Sequence, residues 1–249
     1  MDSGISPVIQ RSSGPALLHR NSWLRPKYFV FGFIGLMLAY VLVHDEAFLV
    51  NAKDPEWEHI ATFKWWLLPH GLTGATAFFL GAMQFSDRLR QRFVKLHHIL
   101  GYIYIPAVFI AAPAGMYIQY LDERLGDARS FTIETVLQGG FWMITTAIAL
   151  WFILKGKVQA HRQWMTRSFG TGPLIFLEVR VIGGITGWEN LGPHVNETIV
   201  WCCTASSILI ADIVIAVQEH YRTRPVPAKP ARELQTKSGD LEAVPEQSE

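Results

Sequence analysis

Three histidines stand where an imidazole has chemical use. His70 lies inside an apolar stretch, about six residues past Lys64, which at the helical rise puts it roughly 9 Å below that stretch's boundary. His97 and His161 stand at the entrances to two other apolar stretches, at the opposite membrane face. His98 adjoins His97, while His44 and His194 lie at stretch ends on the side of His70. The imidazoles therefore form an inner layer (His97, His98, His161) and an outer layer (His70, with His44 or His194 as partner). Imidazoles from two helices can clamp one iron, so two such layers fit paired axial ligation of two b-type haems. That arrangement carries an electron across ~30 Å of hydrocarbon. On this reading His70 serves an outer haem b and His97 and His161 an inner one, with an unidentified redox partner. The same residues have plainer uses. An interfacial His beside Arg, as in His161-Arg162, contacts lipid phosphate or caps a helix end, and an intramembrane His hydrogen-bonds across a helix interface. The chain groups too few ligands for a metal-ion site.

Glu178, Arg180 and Asp212 are the charged residues inside apolar stretches. Such residues normally face a bundle interior and pair up. Glu178 and Arg180 are two apart on one helix and do not face each other, so Arg180 needs a partner elsewhere, and Asp212 is the candidate. These three define a second reading, a small-solute or proton transporter, beside the plainer one of a buried ion pair fixing two helices. A third reading is a non-catalytic membrane scaffold or assembly factor.

The elements that must position these residues follow from the apolar runs. A crossing helix needs roughly 20 mostly apolar residues. Six stretches qualify, at 28–43, 65–85, 99–120, 136–154, 168–188 and 199–217. They predict an all-α fold, a six-helix transmembrane bundle between a polar N-terminal arm (1–27) and a Pro-, Lys-, Glu- and Ser-rich tail (221–249). Trp65, Trp66, Tyr120, Trp188 and Trp201 fall near stretch ends, as an interfacial aromatic belt requires.

Charge sorting tests the count of six. With both termini on one side, nearly all Lys and Arg share that side, and only Lys53, Lys64, Arg124 and Arg129 fall opposite. The positive-inside rule then places both termini in the cytoplasm. The opposite loops are acidic, with Asp45, Glu46, Asp54, Glu56 and Glu58, then Asp122, Glu123, Asp127 and Glu134. Acidic outer loops and the lack of a cleavable signal fit a bacterial inner membrane.

Composition excludes other classes. Of 249 residues, 17% are charged and 50% hydrophobic, and the net charge of +1 offers no basic face for nucleic acid. The partner implied is the lipid bilayer, with a homo-oligomer left open. Cys202 and Cys203 are adjacent and cannot staple the fold. No phosphate-cradling Gly motif, nucleophile elbow or His-Glu-x-x-His helix occurs. Pro69, Pro106, Pro113 and Pro173 are expected to kink helices, and Gly183 and Gly187 have small-xxx-small spacing for close packing. Asn196-Glu197-Thr198 is a formal glycosylation acceptor.

Two resemblances add to this. Six helices with histidines in the central ones resemble the ascorbate-reducible transmembrane b-type cytochromes, although the stretch 136–154 contains no histidine. Locally, Gly81-Ala82-Met83-Gln84-Phe85-Ser86-Asp87-Arg88-Leu89-Arg90, running on to Leu96-His97-His98-Ile99-Leu100-Gly101-Tyr102, and Ala160-His161-Arg162-Gln163-Trp164-Met165-Thr166-Arg167-Ser168 resemble an integral-membrane family, domain of unknown function 2306. The resemblance implies that His70, His97, Arg162, Trp164 and Arg167 occupy family positions. It also shows two departures, since His98 and Tyr102 stand where the family tends to have Arg.

Overall fold

A computed structural model describes residues 26–44, 51, 53, 57–58, 61–187 and 192–223. The expected N-terminal arm and tail, and Asp45, Glu46, Asp54 and Glu56, fall almost wholly or wholly outside these residues. Among the described residues the regular structure is helical, with no strand. The long elements are α1 (Pro26–His44), α2 (Lys64–Gln84), α4 (Val94–Leu125), α5 (Arg129–Leu154), α6 (Val158–Phe169), α7 (Ile175–Thr186) and α8 (Pro193–Thr223). A short α3 (Asp87–Arg92) links α2 to α4.

Over its described residues each predicted stretch falls on helix, with different ends; Trp188 lies outside the described residues. The stretch at 168–188 is the latter part of a longer rod. α6, a π-helical turn at Gly170–Leu174 and α7 run on as one span, Val158–Thr186. Pro173 supplies no N–H and its ring crowds the preceding turn, so the helix widens there rather than breaking. Among the described residues four spans are long and apolar enough to cross a membrane: Val94–Leu125, Arg129–Leu154, Val158–Thr186 and His194–His220. α1 contributes a shorter apolar stretch, Gly32–Val41, and α2, with Pro69 and His70 inside it, is not among the four.

The joints are built by local chemistry. Ser86 caps α3 by accepting the Leu89 N–H at 3.4 Å. Gly126, with φ 120°, ends α4 in a conformation that L side chains rarely adopt. Gly187, with φ 69°, ends α7 in the left-handed region and so acts as its stop signal. Asn196-Glu197-Thr198 lies in the first turns of α8.

The core forms where small residues let helices close. Ala77 of α2, Ala107, Val108, Ala111 and Ala112 of α4 and Trp142 of α5 surround the fully buried Tyr104. A second cluster, Met37, Val41, Phe78 and Leu177, joins α1, α2 and α7. Without a water-driven hydrophobic effect between helices, such close approach and interhelical hydrogen bonds hold a membrane bundle together. Large apolar side chains such as Trp65, Leu72, Ile144 and Leu209 are exposed, as lipid-facing positions require.

Candidate functional site

α4 and α6 are joined by a buried polar cluster. The Tyr104 and Ser168 hydroxyls are 2.8 Å apart, Thr146 meets Ser168 at 2.7 Å, and the Trp142 indole N–H points at the Tyr104 oxygen from 3.4 Å. His97 is seven residues before Tyr104, and His161 is seven before Ser168. Seven residues are nearly two full turns, so both histidines return to the faces that carry the bonded pair, about 10 Å toward the helix starts. They lie within electrostatic reach of each other.

The two rings are held differently. His161 Nδ1 is bonded to the Ala149 carbonyl of α5 at 2.8 Å, which leaves Nε2 to face elsewhere. His97 Nδ1 is buried and has no hydrogen-bond partner among the described residues. The backbone of His97 is pinned by Gln84 of α2, whose side-chain N–H donates to its carbonyl at 3.0 Å. α2 comes this close because Gly81 rests on Tyr104 and Phe169, where an added Cβ would lie 3.0 Å from each ring. Arg90 of α3, ion-paired with Asp87, lies within electrostatic reach of both His97 and Arg162. His98 is exposed, its ring 6.0 Å from that of His97.

His70 belongs to another neighbourhood. Its Nδ1 is bonded to the Ala111 carbonyl of α4 at 2.9 Å, and its ring covers Gly115, where an added Cβ would meet Cε1 at 2.8 Å. The charged group within its electrostatic reach is Arg180. His194 is exposed near the start of α8.

The expected pairing of Arg180 with Asp212 is replaced by another. Asp212 accepts from Arg167 Nε at 2.8 Å. α6 and α8 run antiparallel here. Gln159 meets Arg222, Gln163 meets Glu219 and Arg167 meets Asp212, so the ladder reaches Asp212 some 13 residues before Arg180. The Arg180 guanidinium lies 5.7 Å from the Phe176 ring centre. Glu178 is buried and accepts from Ser206 of α8 at 2.5 Å.

Glu134 escapes the sequence reading, which places it in an outer acidic loop. α5 begins at Arg129, so Glu134 is helical, 4% exposed, and accepts from the Thr204 hydroxyl of α8. The available signal is its neighbourhood, since Phe131, Ile133, Val136 and Leu137 surround it and a helix extended upstream would carry it inward.

The geometry defines an integral membrane protein of the helical-bundle class with polar groups in its interior. Residues 67–215 match the sequence profile of the family described as Predicted membrane protein (DUF2306), and the chain belongs to that family. No curated protein and no solved structure matches the chain. The matched region holds His70, His97, His161, Glu178, Arg180 and Asp212.

Proposed function

We propose that this protein is a transmembrane electron carrier of the b-type cytochrome kind, holding one haem b at the inner layer on His97 and His161. The observation that carries this reading is the shared register of the two histidines below the Tyr104–Ser168 bond. The residues fit the group. A buried imidazole nitrogen without a partner is costly unless a ligand takes it, and His97 Nδ1 is such an atom. A ligating His commonly fixes its other ring nitrogen on a carbonyl, as His161 does on Ala149. Arg162 and Arg90, the latter ion-paired with Asp87, would supply positive charge for the carboxylates of such a group. The bound group would supply reversible one-electron chemistry. The chain's own part is to hold two imidazoles on different helices, with the His161 ring fixed by the Ala149 carbonyl and the His97 backbone held by Gln84.

His70 stands outside this site, because Arg180 rather than a second imidazole is its charged neighbour. In the proposed topology all six stretches cross, both termini are cytoplasmic and the membrane is a bacterial inner membrane, from the distribution of Lys and Arg.

The test is the absorption spectrum of detergent-purified protein, oxidised and then dithionite-reduced, with haem counted per chain. Wild type and His70→Ala are expected to hold one haem with a sharp reduced α-band, and His97→Ala and His161→Ala to lose it. Full haem content in both inner-layer variants overturns the assignment. So does a flat wild-type spectrum from cells that load a control cytochrome.

A further inference from the structure

Glu134 and Glu178 are buried acids that the histidine pair does not use. They come from α5 and α7 and meet α8 within one helical turn, on Thr204 and Ser206. Cys203 lies within electrostatic reach of both. Among the described residues neither carboxylate forms an ion pair. The Ser207 hydroxyl, wholly buried and without a hydrogen-bond partner by distance and angle among the described residues, faces the Glu178 carboxylate. A carboxyl without a cation in this setting is costly as a fixed anion, and such groups are retained in membranes where protons are exchanged.

A second set of hydroxyls lies further along the same helices. Thr171 of the π turn meets Thr145 of α5 at 3.3 Å, and below them stand Ser168, Thr146 and Tyr104.

We propose that the seam between α5, the π turn, α7 and α8 is a proton path, with Glu134 and Glu178 as its carriers and these hydroxyls as its inner arm. Each proton taken up by one carboxyl is matched by one passed inward from the other, so the seam returns to its starting charge. The titratable groups facing Glu178 are Cys203 on α8 and, beyond it, Glu134 on α5, while on its own helix Arg180 leans on Phe176. The path stands independently of haem binding.

The experiment uses full-length protein in liposomes that enclose a pH-sensitive dye, with a potassium diffusion potential imposed by valinomycin. Wild type is expected to move protons several-fold faster than protein-free vesicles. Glu134→Gln and Glu178→Gln, which keep hydrogen-bonding capacity, are expected to fall to the protein-free rate. Dicyclohexylcarbodiimide gives a second readout that needs no variant. A cavity of about 330 Å³, lined by Ile182, Ile199, Cys202 and Ser206, reaches the serine that bonds Glu178 and offers the reagent a way in. Inhibition with an adduct on Glu178 supports the path. Wild-type flux no faster than protein-free vesicles, flux unchanged in both Gln variants, or flux insensitive to the carbodiimide overturns it.

Discussion

Tyr104 and Ser168 share a hydrogen bond of 2.8 Å that closes the α4–α6 seam, and both residues are fully buried. It ties together the two helices that carry His97 and His161, so the separation of the histidines is set from two turns away. Tyr104→Phe and Ser168→Ala are each expected to destabilise the protein by about 1–3 kcal/mol, the cost of unpairing a buried hydroxyl. In a double-mutant cycle on thermal stability in detergent, their effects should couple by roughly 0.5–3 kcal/mol, as directly bonded residues do. Strict additivity would mean that the bond does not hold the seam.

Gly115 and His70 occupy the same space. A Cβ on Gly115 would lie 2.8 Å from His70 Cε1, so Gly115→Ala must push the imidazole off the Ala111 carbonyl. The expected loss is about 1–3 kcal/mol, as for other overpacked sites. Adding His70→Ala makes room and should recover part of the loss. A Gly115→Ala protein as stable as wild type would contradict this packing.

The partner of Asp212 can be checked by charge exchange. The Arg167–Asp212 pair is partly exposed, at 31% and 51% of side-chain area, so its stabilisation is small, about 0–1 kcal/mol. Arg167→Glu should lower stability through like charges, and Arg167→Glu with Asp212→Arg should restore it. Arg180→Glu with Asp212→Arg should restore nothing. The opposite pattern would return Asp212 to Arg180.

Topology is open to a direct reading. Reporter fusions at the C terminus are expected to behave as cytoplasmic, with a fluorescent protein bright and alkaline phosphatase inactive. The reverse result would invert the orientation drawn from the Lys and Arg distribution.

The apolar runs are enough to make the helices legible in the sequence. The stretches at 99–120, 136–154 and 199–217 lie wholly within α4, α5 and α8. Their polar ends are illegible, because a helix's first turns and a loop have the same composition. Glu134 reads as a loop acid since its burial depends on Thr204, 70 positions away. The Arg167–Asp212 pair is hidden for the same reason, at a separation of 45. The histidines are legible as residue types at helix entrances, but the Tyr104–Ser168 register that brings two of them together is a tertiary fact.

The π turn at Gly170–Leu174 works as a phase shifter. One surplus residue in a turn rotates everything downstream by roughly 100° relative to an uninterrupted α-helix. A single rod can thereby aim Ser168 at α4 and α5 and still aim Glu178 at α8. Removing one residue from the turn would leave the length of the span almost intact while swinging Glu178 off Ser206, so the polar interior depends on an angular offset that the hydropathy of the span does not record.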